Sequence, residues 1–230
     1  MIQKEQEARS INCYAAVDPT IRKGPTLNYL PSLIFALAGT AFVGAQAAPI
    51  TGVTATSAMG SGYGTSLSSM TDGSGLSSYT AGATHATGST GNTWVSNNHI
   101  TGSVLFDLGG IFDLSGMDVW NYNAGNSFGV QRLSVLGSLD GTNFSVIAGS
   151  PGLFAIGASN VPELAEHFNF LTTAAFVRFD IQSNYGGGAL ASALSEVMFN
   201  GAPLQIPEPT SLVLVLAALA ASAGIRRATR

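Results

Sequence analysis

Ala175-Phe-Val-Arg-Phe-Asp-Ile-Gln182 alternates apolar and polar side chains, with Val177, Phe179 and Ile181 on one side and Arg178 and Asp180 on the other. Successive side chains of an extended chain point to opposite faces, so this period of two predicts a strand with one face in a core and one in water. Val104, Phe106 and Leu108 repeat the pattern around Asp107. Other β-type runs fall at residues 116–122, 131–137, 143–147, 166–170 and 194–200; with 103–108 and 175–182 they make seven. Seven short strands with few helical patterns predict an all-β sandwich. Leu139-Asp-Gly-Thr-Asn143 reads as a hairpin turn, in which Gly141 tolerates positive φ and Asp140 bonds back to the backbone. Residues 52–92 are dominated by Ser, Gly, Thr, Ala, Asn and Tyr and are expected to form loops and short edge strands.

Composition narrows the function. From residue 48 to 205 there are six Asp and three Glu against Arg132 and Arg178, a net charge of −7, and no lysine follows Lys23. Phosphate binding needs clustered Lys and Arg, so nucleic acid is excluded as a partner. Cys13, the single cysteine of the 230 residues, precedes the expected cleavage point, which leaves the mature chain without a disulfide.

Both ends read as targeting segments. Arg22 and Lys23 precede an apolar run from Tyr29 to Gly44, and Ala45-Gln-Ala47 supplies small residues at the −3 and −1 positions. This is the pattern of a secretory signal cleaved after Ala47 or Ala48; uncleaved, the same run would be an N-terminal anchor. Residues 1–21, polar and carrying Glu5, Glu7 and Asp18, read as an extended leader or a mis-assigned start. Residues 1–47 thus form leader and signal peptide, 48–202 one domain, and 203–230 a tail.

In the tail, Pro207-Glu208-Pro209 breaks any preceding strand, and residues 211–225 run without a charge until Arg226, Arg227 and Arg230. As a helix, residues 209–225 would measure about 25 Å, slightly under the ~30 Å hydrocarbon core of a bilayer. With its arginines held cytoplasmic by the positive-inside rule, the body would lie outside the membrane. A buried helix of the domain would show a polar face, and Leu212-Val-Leu-Val-Leu-Ala-Ala-Leu-Ala-Ala221 shows none. Motif, apolar run and basic tail in this order resemble the PEP-CTERM sorting signal of Gram-negative bacteria. That resemblance implies export past signal peptidase and transient anchoring in the inner membrane. An exosortase would then process the tail near Pro207, Glu208 and Pro209, with delivery to the cell surface or extracellular matrix, often beside exopolysaccharide.

The body carries a second resemblance. Val104-Leu-Phe-Asp-Leu-Gly-Gly110, Gly116-Met-Asp-Val-Trp-Asn-Tyr-Asn123, residues 130–144, residues 175–187 and Leu194-Ser-Glu-Val-Met-Phe-Asn-Gly201 stand in the order of a discoidin or coagulation-factor C-type domain. That family is a galactose-binding-like β-sandwich (jelly roll). The chain departs from it in a long Ser/Gly/Thr insertion between Asp72-Gly73 and Trp94. The resemblance implies a structural Ca2+ tied between Asp72 and Glu196, the remaining oxygens coming from loop carbonyls and hydroxyls. A plain turn Asp and a strand-end Glu would read the same.

It also implies a ligand site on loops at one end of the sandwich, where Trp120-Asn-Tyr-Asn123 and Ser183-Asn-Tyr-Gly186 would cluster. Asn121, Asn123, Asn184 and Tyr185 are suited to sugar hydroxyls and a pyranose face, although Asn and Gly are also ordinary loop formers. Trp94 and Trp120 read as core. His85, His99 and His167, read as surface or loop residues, lack zinc-site spacing. Nothing in the sequence pairs two carboxylates for glycoside hydrolysis. The expectation is a non-enzymatic carbohydrate-binding module; a structural matrix protein without a small ligand is the alternative, and a glycan hydrolase the weaker third.

Overall fold

The computed structural model describes residues 48–204 apart from 126, 188 and 189. The signal peptide, Pro207, Glu208 and Pro209, the segment 209–225 and the arginines Arg226 and Arg227 lie outside the described residues. In chain order the strands are β1 (Ala48–Pro49), β2 (Thr54–Thr56), β3 (Thr84–His85), β4 (Trp94–Val95) and β5 (Gly102–Asn121). They continue with β6 (Leu133–Ser138), β7 (Ser145–Val146), β8 (Glu163–Leu164), β9 (Glu166–Ile181) and β10 (Ala193–Pro203). A short 3-10 turn covers Leu67–Met70.

The main sheet runs β1-β10-β5-β9-β6-β7, all neighbours antiparallel, with β2 against β5 and β4 against the start of β10. Strands β3 and β8 form a separate pair. The expected strands at 103–108 and 116–122 are two halves of β5, and those at 166–170 and 175–182 are two halves of β9. Between the partners Asp107–Phe176 and Phe112–Ala174, the stretch 108–111 stands opposite Ala175 alone. These extra residues bend the strand where a sequence reading places a break. Gly109, at φ 78°, supplies the left-handed residue, and its N–H donates to Asp107 Oδ1 at 2.9 Å.

The bend folds the sheet onto itself and makes the all-β sandwich. Phe106, from the first half of β5, meets Phe179 of β9 edge-on at 4.9 Å. It also meets Phe199 of β10, which pairs with the second half of β5, at 5.3 Å. Edge-to-face pairs contribute about 0.5–1.5 kcal/mol each beyond their burial. Val104, Leu108, Leu114, Val119, Val135, Val177 and Val197 complete this core.

Trp94 is buried in the same core, and its Nε1–H donates to Gly60 O at 2.8 Å. Trp120 points to the outer face of the sheet and is equally buried, because the Ser/Gly/Thr insertion lies over it. Its Nε1–H donates to Ala83 O at 3.1 Å, and it packs with Ala83 and Met198 beside Leu76, Tyr79 and Ala165. The hairpin turn forms as expected: Gly141 has φ 71°, and Asp140 Oδ1 accepts the N–H groups of Thr142 and Asn143. These bonds hold the Asp140 carboxyl well below the usual range.

Gly116 sits where β5 is paired on both sides, opposite Asn169 and Asn200. A Cβ there would run into the carbonyl of Phe168, which is strand backbone and cannot step aside. Gly116→Ala is therefore expected to lower the unfolding free energy in urea by roughly 1–3 kcal/mol. Gly82→Ala, where a Cβ meets nothing within 4 Å, is expected to stay within about 0.5 kcal/mol of the parent.

Candidate functional site

Two places on the sandwich bring polar chemistry together. The first lies under the insertion. Strand β10 places Glu196 on the outer face opposite Trp120, and the loop after the 3-10 turn closes over it. Glu196 is 0% exposed; its Oε1 accepts the Gly73 N–H at 3.1 Å, and its Oε2 has no hydrogen-bond partner among the described residues. Ser74 Oγ is also buried without a partner among them.

Asp72 stands exposed beside it, Oδ1 accepting the Ser74 N–H at 2.9 Å. Burial first, and then the Asp72 charge, push Glu196 up to about 9 against the opposing Gly73 N–H. Burial, with the same two carboxylates, also pushes Tyr79 up to about 12. An orphaned carboxylate oxygen, a second carboxylate and an unpartnered hydroxyl are hard oxygen donors of the kind Ca2+ takes. Among the described residues no cluster of three or more His, Cys, Asp or Glu exists. Further ligands there would have to be hydroxyls, carbonyls or water.

The second place is the end of the sandwich where β5 stops and β10 starts. Asn121, Asn123 and Asn184 do converge there, but under the loops, at 6%, 0% and 6% exposure. Asn121 Nδ2 donates to Val130 O and Ala155 O, and its Oδ1 accepts the Tyr122 N–H. Asn123 Nδ2 donates to Ala86 O and Val161 O. Asn184 Nδ2 donates to Ala191 O at 2.6 Å, and Tyr185 donates its hydroxyl to Phe154 O at 2.6 Å. Their polar groups tie four loops together, because a buried amide must find backbone partners.

Beside these loops lies an aromatic cluster, in which Tyr122 and Phe128 are half-buried against Val95, Ala191 and Ala193. Tyr63 and Phe128 lie 5.6 Å apart between ring centroids at 41°, and Tyr122 and Phe128 lie 5.9 Å apart at 33°. Tyr63 is 56% exposed, and a hollow of about 230 Å³ opens beside Tyr122, Ala124, Gly125, Ser127 and Phe128. Tyr63 holds φ 55°, a left-handed conformation that costs a non-glycine residue on the order of 1–2 kcal/mol. The flanking Gly60, Gly62 and Gly64 let the loop turn tightly enough to lift the ring; a Cβ on Gly62 would strike Ser96 O at 2.8 Å. Sequence reasoning reached Tyr122 but missed Tyr63 and Phe128. The available signal was an aromatic residue set among glycines in Gly60-Ser-Gly-Tyr-Gly64.

The histidines separate. His85 is not a surface residue: it is fully buried in β3, with Nδ1 2.6 Å from Ala86 O and Nε2 3.0 Å from Asn92 O, and burial lowers its pKa. It pins the insertion. His99 is exposed. His167 of β9 reaches across to buried Asp118 of β5 at 2.6 Å, which raises its pKa, and Asn200 of β10 donates to the other Asp118 oxygen.

No family model matches the sequence, and no curated protein matches it. Among solved structures, the chain is similar to the CBM32-1 carbohydrate-binding module of a family 31 glycoside hydrolase from Clostridium perfringens. The TM-score is 0.48 at 16% identity, covering 66% of this chain and 95% of that one. It is similar also to the family 32 module of NanJ from the same organism, in complex with galactose, with TM-score 0.47, 14% identity, and 67% and 98% coverage. A third, CpGH89CBM32-5 in complex with GalNAc-β-1,3-galactose, gives 0.39 at 19% identity over 46% and 73% of the two chains.

Glu196 makes stability depend on pH. Its folded value lies above its unfolded one, so the folded state holds a proton that the unfolded state has lost. The contribution is complete below about pH 4.5 and declines as pH rises towards 9. In EDTA, urea unfolding is expected to show stability falling across this window, and Glu196→Gln is expected to flatten the fall, leaving what Glu163 and His167, also raised, add and what His85, lowered, opposes.

Proposed function

We propose that this chain is an exported, non-catalytic carbohydrate-binding module whose ligand rests on Tyr63, Tyr122 and Phe128. The observation that carries this reading is the hollow of about 230 Å³ at the loop end, lined by Tyr122 and Phe128, with Tyr63 against Phe128. Aromatic rings offer a pyranose an apolar face to stack on, and the Tyr122 hydroxyl adds a polar handle. Asn121, Asn123, Asn184 and Tyr185 serve the site by tying down the loop that carries Tyr122 and Phe128 and the loops beside it. Tyr63, left-handed and exposed, spends backbone strain to hold its ring outward, as residues at ligand sites do.

In the same reading, residues 48–202 are the module and 203–230 its sorting tail. Signal peptidase removes the leader, the apolar segment holds the precursor in the inner membrane, and an exosortase acts at Pro207, Glu208 and Pro209. The product then reaches the cell surface or matrix, where exopolysaccharide is the partner. Ca2+ bound by Asp72 and Glu196 would neutralise the buried carboxylate and clamp the insertion to β10. The unpartnered Glu196 oxygen supports it.

Two measurements test the proposal. On a glycan array the full chain is expected to bind, and Phe128→Ala or Tyr63→Ala to weaken binding about tenfold, a change of ~1.4 kcal/mol. An array without a binder overturns the carbohydrate reading and leaves a structural surface role. In a thermal-shift titration, Ca2+ is expected to raise the midpoint, by the equivalent of about 2.7 kcal/mol at a hundred times its dissociation constant. Glu196→Gln is expected to abolish the rise, and a parent protein indifferent to Ca2+ removes the metal.

A further inference from the structure

We infer that the aromatic site faces away from the membrane while the chain is still tethered, so that the anchored precursor already binds glycan presented from outside. The inference rests on the carbohydrate reading and adds a direction to it. Strand β10 joins the two ends of the sandwich. At its start, the Ala193 N–H donates to Phe128 O at 2.8 Å, and Ala193 packs with Val95 and Ala191 beneath Tyr122 and Phe128. At its other end, Pro203 is opposite Phe112, and the Leu204 N–H donates to Ile111 O at 2.9 Å.

Ten residue steps at ~3.3 Å separate these ends by about 33 Å. The beginning of the module lies at the same far end, because Ala48 pairs with Gly201 and Pro49 with Asn200. A tether at either end of the module therefore holds it by the edge opposite the rings.

The length of chain makes this matter. Five residue steps separate Leu204 from Pro209, where the apolar segment begins. At full extension they reach about 18 Å, so the module is held close to the headgroups, and a site at the tethered end would be pressed against them. The rings instead stand a strand's length further out. The partner they fit is a glycan polymer lying beyond the membrane surface, not a lipid headgroup beside the tail.

The test compares the full chain in detergent micelles with the same chain inserted by its tail into phosphatidylcholine–phosphatidylglycerol vesicles and recovered by flotation. The probe is beads displaying galactose, glucose, mannose or N-acetylglucosamine. Capture of floated vesicles with an apparent affinity within about threefold of the micellar protein, lost in Phe128→Ala, is the expected result. Capture from micelles but not on vesicles overturns the orientation and spares the carbohydrate reading. Failure in micelles overturns that reading and the inference with it. Protein that does not float with vesicles overturns the tether, and vesicle capture that survives Phe128→Ala places the site elsewhere.

Discussion

The pairing of β5 with β9 across one bend is the constraint on which the rest of the structure depends. Both strands run through both layers of the sandwich, so their register fixes each layer and the angle between them. With four residues of β5 opposite Ala175 alone, the sheet must turn there, and the turn brings Phe106 and its neighbour in the same layer, Phe179, onto Phe199. A slip of one residue would send these rings to the outer face. The backbone bend and the aromatic packing therefore enforce one another.

The outer face shows how the chain treats a second apolar patch. Trp120 and Met198 would lie exposed on the sheet, and the insertion between Asp72 and Trp94 covers them with Ala83, Leu76 and Tyr79. Such a loop has few apolar anchors of its own. It is held instead by Trp120 to Ala83, buried His85 to its own carbonyls, and Gly73 to Glu196. The last of these leaves a carboxyl half satisfied inside the protein, and it holds its proton because burying an uncompensated charge is costly. The half-satisfied carboxyl is thus a joint of the loop, while the aromatic cluster at the loop end is built from other residues.

Much of the core was legible in the sequence, because side-chain alternation reports directly on which face of a strand is buried. Val104, Phe106 and Leu108, like Val177, Phe179 and Ile181, could be assigned to the core from period alone. The Asp140-Gly141 turn followed from local chemistry in the same way. The continuity of β5 was not legible, since Gly109-Gly110 has the same signature whether it ends a strand or bulges one. Nor was the burial of His85, which depends on a loop closing over it. At the loop end, Asn121, Asn123 and Asn184 come together beneath the loops. Their roles were hidden, because an amide that could meet a sugar hydroxyl meets a backbone carbonyl equally well.

The sequence by itself determined the class of fold, the apolar faces of its strands and the scarcity of Lys and Arg between residues 48 and 205, because these follow from periodicity and charge along the chain. Only the tertiary structure decided that Tyr63, Tyr122 and Phe128 share one surface and that both ends of the module lie opposite it. Glu196 and Asp72, 124 positions apart, are likewise brought together only by the fold. These are relations between residues distant in the chain. They are fixed by strand register and loop closure, which local sequence does not encode.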